Sequence, residues 1–155
     1  ELHFGGGTPS VISRKDFDRL IHALDQLVNF NDLETCSLEI DPRNGASADL
    51  LRYYASKGIN RISIGIQDFD PKVQEAINRV NSPSLVSKMI PDDVRSMFKG
   101  LNFDVIFGMP YQTIKSWQKT LKTVAEFRPD RLAVCTLGHR PDVLCNSRLE
   151  KLTLN

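Results

Sequence analysis

Residues Cys36 to Gln67 read CSLEIDPRNGASADLLRYYASKGINRISIGIQ. The first five, 36–40, alternate apolar with polar side chains, and 61–67 carry isoleucine at every second position; both are strand patterns. Between them Ser47 is a helix N-cap, residues 48–57 follow a helical pattern, and Gly58 is a C-terminal stop. A strand, a helix and a second strand in so short a span make one βα unit with parallel strands.

The alternation of periods continues in both directions. Further strands are predicted at 1–4, 102–107 and 131–137. A helix is predicted over 14–29, capped by Ser13, with Phe17, Leu20, Ile21, Leu24, Leu27 and Val28 on one face. Pro71 opens a helix over 71–79, Pro91 interrupts one or two helices in 84–99, and Thr113 caps a helix over 114–127 that turns Ile114, Trp117, Leu121 and Val124 inward. A closed eight-stranded barrel needs about 250 residues. At 155 residues the chain makes either an open doubly wound α/β sheet or part of a barrel.

Twenty basic and nineteen acidic residues leave a net charge of +1, which argues against a nucleic-acid-binding arm and against an acidic tail. No apolar run reaches the length of a membrane span, and no basic-then-apolar leader is visible. Cys36, Cys135 and Cys145 show no C-x-x-C spacing, so they give no metal or cluster signature. An odd count without a leader points to a reducing, cytoplasmic setting. Cys36 and Cys135 fall in strands and read as small buried hydrophobes, whereas Cys145 lies in a polar stretch. The chain starts at Glu1 inside a strand pattern, as a piece of a longer protein would.

Ligands of parallel α/β folds sit beyond the carboxyl ends of the strands. After the first strand comes Gly5-Gly6-Gly7-Thr8-Pro9, either a ligand-cradling turn with free N–H groups or simply a tight βα turn. It has neither dinucleotide nor P-loop spacing. If Leu38 and Ile40 face the helices, Glu39 and Asp41 face the other side, where a carboxylate needs a donor or a ligand. Asp41 could instead cap the loop, and Arg43 could pair with either acid. Gln67 ends the third strand with no structural duty, while Asp70 before Pro71 reads as an N-cap. Arg79 is explained by the helix end it follows. Asp104 is a lone acid in an apolar strand, and His139, at a strand end, is either a proton carrier or ligand or, as the preferred reading, a satisfied loop histidine. His3 and His22 read as structural. Glu39, Gln67, Asp104 and the glycine turn thus share one rim, suited to a small polar ligand with an ammonium and hydroxyls. No nucleophile–base pair accompanies them.

The run Leu2-His3-Phe4-Gly5-Gly6-Gly7-Thr8-Pro9-Ser10 resembles the glycine motif of radical S-adenosylmethionine enzymes. Glu39-Ile40-Asp41-Pro42-Arg43, Asn60 to Asp70, Val73-Gln74, Asn78-Arg79, Asp104 to Pro110, Gln112-Thr113 and Arg128-Pro129-Asp130-Arg131 are similar to one branch, the oxygen-independent coproporphyrinogen III oxidases. The resemblance runs from Glu1 to about His139. It implies a partial TIM-type radical-SAM barrel over 1–140, with 141–155 starting a C-terminal extension.

It also implies oxidative decarboxylation of coproporphyrinogen III to protoporphyrinogen IX in haem synthesis, with an electron-donor protein as partner and no nucleic acid or membrane. The implied cofactors are S-adenosylmethionine and a [4Fe–4S] cluster. By the same resemblance Gly6, Gly7, Thr8, Glu39, Gln67, Arg79, Asp104 and Gly138 contact S-adenosylmethionine. The family's Cys-x-x-x-Cys-x-x-Cys cluster loop has no counterpart in these residues, and 84–100, Cys135 to His139 and the stretch after Pro141 depart from the family pattern. The chain by itself is therefore expected to be inactive. The alternatives are a related haem chaperone and a truncated, non-catalytic remnant.

Overall fold

The computed structural model describes residues 1–138. Five strands, β1 (Leu2–Phe4), β2 (Cys36–Ile40), β3 (Arg61–Gln67), β4 (Gly100–Phe107) and β5 (Arg131–Thr136), alternate with helices α1 (Arg14–Asp25), α2 (Ala48–Ser56), α3 (Pro71–Ala76), α4 (Pro83–Met89), α5 (Asp92–Arg95) and α6 (Ile114–Glu126). The spatial order is β1-β2-β3-β4-β5, every neighbouring pair parallel. A doubly wound sheet reverses direction at a switch point. This one winds one way throughout, as a barrel wall does, and right-handed crossovers then put every helix on the same face. Among the described residues the wall is open, with β1 and β5 as its edges.

The helix boundaries follow local chemistry. Ser13 accepts from the Asp16 N–H, Ser47 from Leu50, Asp70 from Lys72 and Val73, and Thr113 forms a reciprocal capping box with Ser116. Pro91 separates α4 from α5 as the N-cap of the latter. Helix α1 stops at Asp25 and α3 at Ala76, each earlier than the sequence pattern.

The core lies between helices and sheet. Leu38, Ile40, Ile62, Ile64, Phe103 and Val105 point outward from the strands into it and are buried. Phe17 anchors α1, its ring centroid 5.5 Å from Phe4 and 5.0 Å from Tyr54. Truncating so buried an aromatic costs about 3–5 kcal/mol.

Three apolar expectations fail here. Leu20 lies at the exposed margin of its helix, Leu27 lies past the end of α1 and is 80% exposed, and Ile114 is the first residue of α6, at a helix start that faces solvent. Cys36 is buried as expected, but Cys135 is exposed. The reason is its place: β5 is an edge, and Cys135 pairs with Ile106 on the open face away from the helices, while the outward Leu132 and Val134 are uncovered because no helix follows β5 among the described residues. His139 and Cys145 lie outside the described residues, as does the extension expected after residue 140.

Candidate functional site

The face of the sheet opposite the helices is polar. Its positions recur at every second residue: His3 on β1, Ser37 and Glu39 on β2, Arg61, Ser63 and Gly65 on β3, Asn102 and Asp104 on β4. A closed TIM barrel fills this space with branched apolar side chains. Here it holds a cleft of about 200 Å³ at the carboxyl ends of the strands.

Six residues singled out in the sequence line that cleft: Gly7, Thr8, Glu39, Gln67, Arg79 and Asp104. Gly6 and Gly7 turn the chain with φ of 83° and 58°, in the left-handed region. The Gly6 N–H donates to Glu39 Oε2 at 3.2 Å, so the glycine turn and the β2 carboxylate form one unit. His3 completes it, with Nδ1 2.7 Å from Ser37 Oγ and Nε2 3.2 Å from Glu39 Oε1. Gly138 follows β5 at the same end of the sheet but is not among the residues lining the cleft.

Asp104 is explained by its neighbours. Its Oδ2 accepts from Ser63 Oγ at 2.9 Å and its Oδ1 from Asn102 Nδ2 at 2.6 Å. Lone pairs remain for a ligand hydroxyl or ammonium. Gln67 is buried and has φ of 66°, uncommon for a residue with a Cβ. A register shift between Gly65 and Gln67 accompanies it. Strained backbone of this kind concentrates at ligand sites. Beneath it Asp68, fully buried, accepts from the Asp70 N–H at 2.7 Å, from Gln112 Nε2 at 2.6 Å and from Thr120 Oγ1, fastening the end of β3 to α6 and its preceding loop.

Arg79 is not held by the dipole of a helix end. Its guanidinium donates to Asp41 Oδ2 at 2.8 Å, and Arg43 binds the same carboxylate through Nε and Nη2 at 3.0 and 2.7 Å. Asp41, 6% exposed, is thus the partner of both arginines rather than a mere loop cap. Burial pushes its carboxyl up, but the hydrogen bonds from Arg43 and Arg79 outweigh that and hold it at about 2.

The sequence reading missed His3, which it took for structural, and passed over Ser63, Gly65 and Asn102. The signal was present: extending the two-residue period down from Gln67 and Asp104 reaches all three of the latter. Among the described residues Cys36 and Cys135 form no ligand set. Cys36 is buried in β2, burial pushes its thiol up, and Cys135 lies on β5 across two intervening strands. Among the described residues no group of three or more potential ligands could hold a metal ion.

The cleft is acidic at Glu39 and Asp104 and cationic at Arg79. It therefore offers partners to a zwitterionic ligand, with backbone N–H groups at the glycine turn.

The chain is 36% identical over 148 residues to the oxygen-independent coproporphyrinogen III oxidase of Escherichia coli strain K12, covering 96% of this chain and 32% of that protein. Protein y4hJ of Sinorhizobium fredii is also 36% identical, and the match covers 57% of its length. The solved structure of the Escherichia coli coproporphyrinogen III oxidase, described as a radical SAM enzyme, superposes with a TM-score of 0.87 at 35% identity, covering 98% of this chain and 34% of that one. The radical SAM methyltransferase TsrM of Kitasatospora setae shares the fold, with a TM-score of 0.61 at 12% identity, over 77% of this chain and 23% of its own. This chain therefore spans about a third of the length of the coproporphyrinogen oxidases it matches. The model of the radical SAM superfamily matches residues 1–124. With its one-way parallel wall, glycine turn and polar inner face, the chain belongs to the radical SAM superfamily.

Proposed function

We propose that this chain is the central barrel segment of an oxygen-independent coproporphyrinogen III oxidase and that its cleft binds S-adenosylmethionine. The observation that carries the reading is the convergence of Gly7, Thr8, Glu39, Gln67, Arg79 and Asp104 on one cleft with an acidic and a cationic side. Gly6 and Gly138 belong to the proposed set through the turn and the end of β5. The donor set fits the ligand: Arg79 for its carboxylate, Glu39 and Asp104 for the ammonium and hydroxyls, the glycine turn for close backbone approach. S-adenosylmethionine supplies the radical initiator when bound. What these residues do is bind and orient it.

The described residues do not fit a [4Fe–4S] cluster, since no group of three or more potential ligands gathers among them. Oxidation of coproporphyrinogen III is proposed for the whole protein from the names of its relatives, and an electron-donor partner and a cytosolic setting are proposed with it. Free Cys36 and Cys135 suit a reducing compartment, and among the described residues no helix is long and apolar enough to cross a membrane.

Isothermal titration of S-adenosylmethionine into the purified chain tests the site. Arg79→Ala and Glu39→Gln should each weaken binding by about tenfold. Variants that bind as the parent does would refute it. On the full-length protein, consumption of coproporphyrinogen III supports the oxidase, whereas haem retained with coproporphyrinogen untouched favours the chaperone.

A further inference from the structure

We propose that Asp41 and Arg43 are positioning residues for Arg79, holding its guanidinium at the rim of the cleft and thereby setting a preference for ligands that carry a carboxylate. The second half of this inference rests on the reading of the cleft as an S-adenosylmethionine site.

Asp41 comes directly after β2 and its side chain is 6% exposed. A carboxylate so placed needs donors. Oδ1 accepts from the backbone N–H and the Nε of Arg43, both at 3.0 Å, and Oδ2 accepts from Arg43 Nη2 at 2.7 Å and Arg79 Nη2 at 2.8 Å. Arg43 has one further contact. Its Nη1 donates at 2.8 Å to the carbonyl of Asn78, the residue before Arg79. Arg43 therefore restrains the carboxylate that holds the Arg79 guanidinium and also the backbone that carries it.

A purely structural role does not account for the arrangement. The turn after α3 is already closed by its own backbone, with Asn78 N–H on the Glu75 carbonyl at 3.1 Å and Arg79 N–H on that of Gln74 at 2.9 Å. One arginine already gives both Asp41 oxygens a partner. The second leaves the cluster with a net positive charge. Among the described residues the Arg79 side chain makes one hydrogen bond, to Asp41. A guanidinium has five N–H donors in a fixed fork. The remaining ones are free, on a side chain that lines the cleft and is a third exposed. A pre-placed fork loses little freedom when it meets a planar carboxylate.

The test has two arms on the purified chain, using Asp41→Asn and Arg43→Gln. In the first, NMR of arginine side-chain N–H groups reads the mobility of the Arg79 guanidinium without ligand. Restraint in the parent chain and release in both variants is expected. Equal mobility in parent and variants overturns the proposal. In the second, titration compares S-adenosylhomocysteine with 5′-methylthioadenosine, which lacks the amino-acid portion. The parent should prefer the former. Both variants should lose about tenfold of that preference with 5′-methylthioadenosine affinity unchanged, and should add nothing in an Arg79→Ala background.

Release of Arg79 with the preference intact overturns the ligand half. A parent chain with no preference removes the S-adenosylmethionine reading together with that half, and the mobility arm then decides positioning alone. Should Asp41→Asn fail to fold, Arg43→Gln, whose side chain is a third exposed, answers both arms.

Discussion

The side-chain nitrogen of Gln67 lies 2.9 Å from where a Cβ on Gly65 would stand. The amide folds back over its own strand and occupies the space that only glycine leaves open. Gly65→Ala would push away the far end of a flexible side chain, not backbone. Alanine is also worth about 0.5–1 kcal/mol over glycine inside a strand. We expect a melting temperature within about 5 °C of the parent and clearly weaker S-adenosylmethionine binding. Thermal melts followed by circular dichroism and titration calorimetry would show the two effects separating; a variant that binds as the parent does would remove Gln67 from the site.

Asp41 makes stability depend on acid. Its carboxyl is held at about 2 against an ordinary value of 3.8, so the unfolded chain takes up this proton at higher pH than the folded one. The contribution is complete above about pH 4 and disappears as pH falls towards 2, an effect of about 2 kcal/mol. Urea unfolding between pH 7 and 2.5 should show it, and Asp41→Asn should flatten that part of the profile. Parallel profiles would show that the arginines do not hold the carboxyl.

Asp68 is a buried carboxylate satisfied wholly by hydrogen bonds, from Asp70, Gln112 and Thr120. Asp68→Ala strands three donors between β3 and α6 and should cost about 3 kcal/mol or more. Thr120→Val removes one of these donors and also the acceptor of the Phe69 N–H, and should cost about 1–2 kcal/mol. Denaturant midpoints would order the two; a smaller loss for Asp68→Ala would show that the donors find other partners.

Leu132 and Val134 stand uncovered on the outer face of edge strand β5, at 41% and 52% exposure. An unpaired edge with an apolar face invites association. Sedimentation velocity on the purified chain should show concentration-dependent self-association, and Val134→Lys should weaken it. A monomer at all concentrations would mean that the face is shielded.

Much of the site was legible because it depends on short-range rules. The two-residue period put Glu39 and Asp104 on the face away from Leu38 and Phe103, and the structure agrees. The caps at Ser13, Ser47, Asp70 and Thr113 follow from side-chain chemistry within three residues. Leu20, Leu27 and Ile114 were misread because a helical stripe is wider than the contact it makes, and a stripe says nothing about where its partner ends.

The sequence by itself determined the five βα-type strands, their parallel sense, the glycine turn and the acids at the strand ends, since periodicity and turn chemistry are local. Only the tertiary structure decided that the sheet winds one way, that His3 braces Glu39, and that Arg79 reaches back to Asp41. Those relations join residues 36 and 38 positions apart. Which of many charged residues meet at such separations is set by strand order and register, and these emerge only when the whole core packs.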